Sequence, residues 1–176
     1  MDLEEYFSKL KDAKTNSNKN PYLHDGRYLV RITNAVMLEK VRATGKPAFV
    51  LEFTIEKSEG PTVTLATGVK VSPNAVGSSG SWFQNLADEA VGFGALIGFA
   101  AAITGAEAED PEFLGSVKQF MTAVVKGLPN EKGEYIKDAP SAIAGWLVPV
   151  EVVTIKTKKE KDFSLFKWGM KIEEQS

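Results

Sequence analysis

Two short loops of this chain carry clustered lysine and arginine side chains, the residue types that neutralise backbone phosphates. The formal net charge of the whole chain is −2, so any binding to nucleic acid must use a local patch of this kind. The seven cations are Lys40, Arg42 and Lys46 in the first loop and Lys156, Lys158, Lys159 and Lys161 in the second. Together they predict a phosphate-binding surface, although solvated turns would carry the same residues.

Aromatic side chains near these loops supply a second chemistry, because bases of single-stranded nucleic acid stack on aromatic rings with little sequence preference. The candidates are Tyr28, Trp82 after a Gly/Ser-rich stretch, and Phe163 beside the second loop. We expect Trp82 to be partly exposed. Arg27 and Arg31 lie between the two loops and extend the predicted phosphate contacts. Core packing competes with base stacking for each of these aromatics.

The residue types needed for most catalysis are missing. The chain has no cysteine and one histidine, His24, so neither a His-based triad nor a His/Cys metal cluster can be built. Acidic pairs such as Asp88 and Glu89 occur at predicted helix starts, where carboxylates complement the helix dipole. The glycines from Gly92 to Gly98 lack the dinucleotide-binding spacing. We therefore predict a protein that is not an enzyme, with no catalytic residue, metal or cofactor.

A two-residue hydrophobic period, typical of half-buried strands, governs five segments of the chain. Two helical patterns lie between the third and fourth segments, one from Asp88 to Gly105 and one from Asp110 to Gly127. Residues 72–81, before Trp82, have the composition of a flexible loop. The predicted strands are 26–33, 49–56, 63–69, 147–155 and 163–172. In the last of them, Phe166, Trp168, Met170 and Ile172 share one face, which predicts that Trp168 is in the core.

This order of elements predicts a mainly β fold with inserted helices. A five-stranded OB-fold-like barrel has the same order, namely three strands, then the helices between strands 3 and 4, then two strands. In such barrels the loops joining strands 1 and 2 and strands 4 and 5 flank the face that binds oligonucleotides. Those are the two basic loops, and we expect the barrel to bring them together beside one groove.

The N-terminal residues differ in composition from the rest. Residues 1–12 set Leu3, Tyr6, Phe7 and Leu10 on one helical stripe, and a polar segment ending at Pro21 follows. We therefore divide the chain into residues 1–20, an amphipathic helix with a polar linker, and residues 21–176, the OB-fold-like nucleic-acid-binding domain. The helix could pack on its own barrel or serve as an arm for a partner.

Two features of the sequence bear on a secretion signal and on a membrane-spanning segment. The acidic start Met1–Glu5 has no signal-peptide character, and the longest apolar stretch, Val91 to Ile103, falls short of the roughly 20 residues that span a bilayer. We expect a cytoplasmic protein with no membrane partner.

Three segments together resemble the phage-type single-stranded-DNA-binding proteins, an OB-fold group from tailed bacteriophages. They are Asp25-Gly26-Arg27-Tyr28-Leu29-Val30-Arg31-Ile32-Thr33-Asn34-Ala35, then Thr44-Gly45-Lys46-Pro47-Ala48-Phe49-Val50-Leu51-Glu52-Phe53, and a later helix ending Ile103-Thr104-Gly105. The resemblance implies a non-catalytic protein that coats single-stranded DNA during phage replication or recombination in the host cytoplasm. It also allows replication or recombination proteins, and further copies of the chain, as partners.

Such proteins often end in an acidic tail that recruits other proteins, whereas here only Glu173 and Glu174 provide acidic residues after Ile172. Recruitment through a tail is therefore not expected. The alternative function is a protein–protein interaction module, a virion or replication-accessory component that does not bind nucleic acid.

Overall fold

The computed structural model describes residues 23–41, 45–64, 68–156 and 162–172. The predicted N-terminal helix and linker therefore lie outside the described residues. The strands are β1 (Gly26–Leu38), β2 (Ala48–Glu59), β3 (Val63–Thr64), β4 (Lys70–Val71), β5 (Ser79–Asn85), β6 (Leu147–Lys156) and β7 (Asp162–Trp168), and the helices are α1 (Glu89–Thr104) and α2 (Pro111–Lys126).

Five of these strands form one antiparallel sheet in the order β5-β2-β1-β6-β7. The two-residue period predicted its central strands correctly, because alternate residues of β1 and β2 face the core. The core-facing residues are Tyr28, Val30 and Ile32 in β1 and Phe49, Leu51, Phe53 and Ile55 in β2, all of them buried. The mainly β class, with both helices between the third and fourth strands of this sheet, is confirmed.

The third strand of the sheet is not the predicted one. Val63–Thr64 pairs with Lys70–Val71 in a separate two-stranded hairpin, and residues 65–67 lie outside the described residues. The sheet instead takes β5 as its third strand, from the end of the stretch expected to be a flexible loop. Close packing explains the glycine in β5, since a Cβ at Gly80 would lie 2.8 Å from the Phe53 ring and 2.9 Å from Leu23.

The sheet does not close into a barrel. Within the described residues its edge strands, β5 and β7, are not hydrogen-bonded to each other, so the predicted five-stranded barrel is not confirmed. Aromatic side chains nevertheless link the two edges: the ring centroid of Trp82 lies 5.6 Å from that of Trp168 and 6.5 Å from that of Phe166. Phe99 of α1 packs 5.2 Å from both tryptophans. The core lies between the sheet and the two helices, with Phe99 of α1 and Val124 of α2 both buried in it.

The helices begin and end where their capping residues predicted. The Asp88 side chain accepts a hydrogen bond from the Val91 amide, and α1 ends at Gly105 in the left-handed region. Asp110 caps α2 in the same way, with Pro111 in its first turn. α2 is amphipathic, whereas the residues of α1 are apolar on nearly every side, so part of its apolar surface remains exposed.

The predicted buried face of the last strand is shorter than expected. Trp168 packs against the core as predicted, but β7 ends at this residue. The Gly169 amide then donates a hydrogen bond to the Pro149 carbonyl oxygen, and Met170 and Ile172 are exposed. The prediction that these two residues share the buried face was therefore wrong.

Candidate nucleic-acid interface

The strands that lead into the two basic loops do so at opposite ends of β1. At its start, Gly26 pairs with Val152 of β6, and β6 runs on toward the second loop. At its end, Leu38 pairs with Ala48, and the first loop lies between them. β1 has 13 residues, about 40 Å of extended chain at roughly 3.3 Å per residue. Because β1 and β6 are antiparallel, the strand ends that lead into the two loops lie at opposite ends of β1; residues 42–44 and 157–161 lie outside the described residues, so the expected meeting of the loops stays a prediction.

Several predicted site residues cannot be placed. Arg42, Lys158, Lys159 and Lys161 lie outside the described residues. Lys156 ends β6 and Phe163 lies in β7, but their side chains also lie outside the described part of the chain. Their roles therefore stay predictions.

The two strand-one arginines are held by carboxylates on the outer face of the sheet. Arg27 Nε lies 3.1 Å from Glu151 Oε2, and Arg27 Nη1 lies 4.0 Å from Glu59 Oε1. Arg31 Nε lies 3.0 Å from Glu56 Oε1, and its Nη1 donates to the Gly145 carbonyl oxygen at 3.0 Å. A phosphate would have to compete with these partners.

Carboxylates also dominate the surface at the start of β1. Asp25, Glu59 and Glu151 line a groove there with Arg27 as its one cation among the described residues. The Thr154 hydroxyl donates a hydrogen bond to Asp25 Oδ1 at 2.6 Å. This excess of negative charge repels phosphates, so the end of the sheet near the second loop is the less favourable one for nucleic acid.

Tyr28 is a structural residue and not a stacking platform. Its side chain is 3% exposed, because the two-residue period places it on the same inner face as Val30. The hydroxyl donates to the His24 carbonyl oxygen at 2.6 Å and accepts from the Asn74 amide at 3.0 Å. Burial is the main reason that the pKa of Tyr28 is raised. The prediction that bases stack on Tyr28 was wrong.

Trp82 is also buried, contrary to the expected partial exposure. Only 8% of it is exposed, and its ring packs 5.9 Å from Phe49 and 5.2 Å from Phe99 between centroids. The cause is the register, in which Trp82 pairs with the inward-facing Leu51. The same alternation turns the next residue, Phe83, to the outer face.

Phe83 belongs to a partly exposed apolar row at the end of β1. It pairs with Val50 of β2, which pairs with Val36 of β1. All three residues are of intermediate exposure. The row lies two residues from the ends of the strands that the first basic loop joins, so it is close to that loop in register.

The first loop is closed by its own backbone hydrogen bonds. The Val41 amide donates to the Lys46 carbonyl oxygen at 2.8 Å, and the Gly45 amide donates to the Val41 carbonyl oxygen at 2.6 Å. Lys40 and Lys46 are both exposed. Two of the predicted cations therefore reach solvent at the same end of the sheet as Phe83.

A groove beside this row contains residues that the sequence did not single out. We call it the Tyr135 groove; among its lining residues are Asn34 and Val36 of β1, Lys126 of α2, Tyr135 and Lys137. Tyr135 is 43% exposed, and Lys126 Nζ lies 5.5 Å from its ring centroid. Two lysines against one acid, Asp138, make the lining positive. The sequence offered one signal for this groove, an aromatic residue, Tyr135, between Lys132 and Lys137 in a turn-rich segment.

Other kinds of site are not found in the described residues. No group of three or more His, Cys, Asp or Glu side chains there is arranged to hold a metal ion. Neither α1 nor α2 is long and apolar enough to cross a bilayer. Comparison of the chain with protein-family models, curated proteins and solved structures finds no match in any of the three.

Proposed function

We propose that this protein binds single-stranded DNA without catalysis, at the end of the sheet that carries the Tyr135 groove and the β1–β2 loop. The observation that carries the proposal is the exposed Tyr135 ring beside Lys126 and Lys137. An exposed ring offers a surface for base stacking, and Lys126, whose Nζ lies over the ring, and Lys137 of the same groove neutralise the adjoining phosphates. Lys40 and Lys46 extend the phosphate contacts, and Phe83 offers a second apolar surface.

The order of the strands supports an OB-like origin for this surface. The order β5-β2-β1-β6-β7, with helices between β5 and β6, is that of an OB barrel opened along the seam between its outer strands. The contact of Trp82 with Trp168 across that seam fits a partly open barrel. In OB-folds the face of strands 2 and 3 binds oligonucleotides, and the agreement in strand order supports the same role for the face of β2 and β5.

The proposed chemistry favours a single strand over a duplex. Stacking on Tyr135 or Phe83 requires a base with a free face, which a paired and stacked duplex does not offer. The acidic groove at the start of β1 and the net charge of −2 oppose broad binding of a duplex backbone. The resemblance to phage-type single-stranded-DNA-binding proteins supports a role in coating DNA during replication or recombination.

Fluorescence anisotropy with labelled oligo-dT and a duplex of the same length, each at two salt concentrations, tests the proposal. We expect preference for oligo-dT and weaker binding at the higher salt concentration. Tyr135→Ala should weaken binding about 5-fold to 150-fold, since stacking of one base contributes roughly 1–3 kcal/mol. Phe93→Ala is the matched control, because Phe93 is an exposed aromatic on α1, outside this surface.

Three results would contradict the proposal: equal affinity for the duplex, binding that does not change with salt, or equal losses in Tyr135→Ala and Phe93→Ala. If oligo-dT does not bind at all, the protein–protein interaction module becomes the better function.

A further inference from the structure

The two helices and the end of β1 form an apolar groove that no described residue covers. We call it the α1–α2 groove; it has a volume of about 660 Å³, and its apolar lining includes Met37, Phe93, Ile97, Val117, Met121 and Val125. Phe93 is 50% exposed. Contiguous exposed apolar surface, unlike single exposed apolar residues, is a feature of interaction sites in soluble proteins.

α1 has the composition of a helix that is covered on all sides. Its residues are apolar around nearly the whole circumference, yet Val91 and Phe93 are exposed. Helices that are apolar all round are normally buried. The outer side of α1 therefore lacks a covering element in the described part of the chain.

We propose that residues 1–12 of the same chain cover the α1–α2 groove as an amphipathic helix. Leu3, Tyr6, Phe7 and Leu10 have the i, i+3, i+4, i+7 spacing with which such a helix lays its apolar face into a groove. Twelve helical residues are about 18 Å long, and α2, which forms one wall, has 16 residues. At the same rise α2 is about 24 Å long, so a helix of residues 1–12 fits along it.

The charges give this helix a direction. Its first half carries the acids Asp2, Glu4 and Glu5, whereas its second half carries Lys9 and Lys11 with one acid, Asp12. Along α2 the order is the same, with Glu112 in the first turn and Lys118 and Lys126 further along. Opposite charges meet when residues 1–12 run antiparallel to α2. This orientation also brings the end of the segment toward the start of α2.

The linker is long enough for docking within one chain. The described chain begins at Leu23, which is buried close to Phe53 and Gly80. Residues 13–22 can span up to about 35 Å when extended. A domain of about 150 residues has a radius of gyration of roughly 15 Å, so this reach covers most of its diameter.

Hydrogen exchange on the full chain, read by mass spectrometry, tests the docking. We expect the amides of residues 3–12 to exchange at least about 10-fold more slowly than in a free peptide of the same sequence, because docking shields them from solvent. Phe93→Ser, which changes the groove, should remove this protection. Phe7→Ser, which changes the docking segment, should remove it as well. Val69→Ser is the control, since Val69 is an exposed apolar residue outside the groove.

Exchange at the free-peptide rate in the parent overturns the proposal. Protection that survives both Phe93→Ser and Phe7→Ser overturns it too, because the segment must then be shielded elsewhere. The Phe7→Ser variant guards against misfolding, since it changes no described residue.

Cysteine pairs decide between one chain and two, because the natural chain contains no cysteine. Glu4→Cys with Thr122→Cys should form a disulfide within the monomer, and Lys11→Cys with Thr122→Cys should form it poorly, as the antiparallel direction requires. Intact-mass analysis and a non-reducing gel read the result. Linked dimers would show that a second copy fills the groove, and the reverse preference would overturn the charge-based orientation; either result contradicts the proposal.

Discussion

The indole rings of Trp82 and Trp168 lie 5.6 Å apart between centroids, although they belong to opposite edges of the sheet. Since β5 and β7 share no backbone pairing in the described residues, aromatic side chains hold these edges near each other. Phe99 lies 5.2 Å from both rings and ties α1 to the seam. The curvature of the sheet therefore depends on this cluster of side chains.

Removing one ring of the cluster should destabilise the fold. Trp168→Ala is expected to lower the free energy of unfolding by about 3 kcal/mol, the lower end of the range for truncating a buried aromatic, because Trp168 is only partly buried. Urea denaturation followed by circular dichroism measures the change. Leu165→Ala is the control on the same strand, since Leu165 is 38% exposed and should cost below about 1 kcal/mol. Equal losses for the two variants would show that the aromatic cluster has no special role.

Tyr28 is expected to link stability to high pH. Its hydroxyl bonds to His24 and Asn74, and burial raises its pKa above the ordinary 10.0, with a smaller contribution from the Asp25 carboxylate and an opposing one from the Asn74 bond. The neutral form is favoured in the folded state, so the unfolded chain loses this proton first as pH rises. The stabilisation is complete below the ordinary pKa and is lost as pH rises from there through the folded-state pKa.

The comparison of the parent with Tyr28→Phe tests this linkage. Phenylalanine leaves the Asn74 amide and the His24 carbonyl oxygen without this partner, which should cost about 1–3 kcal/mol near neutral pH. Above the ordinary tyrosine pKa the difference between the two proteins should shrink, because the parent then loses the stabilisation that depends on the Tyr28 proton. A difference that stays constant to the highest pH measured would exclude a linked proton at Tyr28.

Two glycines with positive φ should respond differently to alanine. Gly127 ends α2 at φ 83, where a Cβ would lie 2.6 Å from the Pro140 carbonyl oxygen. Gly133 has φ 77, but a Cβ there would meet nothing within 4 Å. Both variants pay the backbone strain of roughly 1 kcal/mol or more, and only Gly127→Ala adds a clash with a backbone atom. Thermal denaturation should show the larger loss for Gly127→Ala, and equal shifts would contradict the packing argument.

The structural features that were predicted correctly are those determined by residues close to one another in the sequence. The inner faces of β1 and β2 follow from local alternation, and the ends of α1 and α2 follow from Asp88, Gly105, Asp110 and Gly127, which act within one turn. β5 was missed because Ser79-Gly80-Ser81 has no apolar alternation of its own. It becomes a strand through pairing with β2, a distant segment, and this pairing also buries Trp82.

The candidate site depends even more on distant contacts. Arg27 donates a hydrogen bond to Glu151, which is distant in the sequence. The Tyr135 groove forms because α2 and residues 135–139 lie against the end of β1. Neither contact has a local pattern in the sequence. The opposite positions of the strand ends that lead into the two basic loops likewise follow from the antiparallel register of β1 and β6, which strand order alone does not specify.

Charge reversal in the two loops separately should show which end of the sheet binds DNA. We expect Lys40→Glu with Lys46→Glu to weaken oligo-dT binding strongly and to lower the slope of log affinity against log salt by about 1.4, since each phosphate contact on a single strand contributes about 0.7. Lys158→Glu with Lys159→Glu changes the charge by the same amount in the segment that follows β6, and we expect the smaller effect because Asp25, Glu59 and Glu151 already line the groove beside β6. Both pairs lie in loops, so thermal stability should change little. A larger loss for the second pair would move the binding surface to the start of β1 and away from the Tyr135 groove.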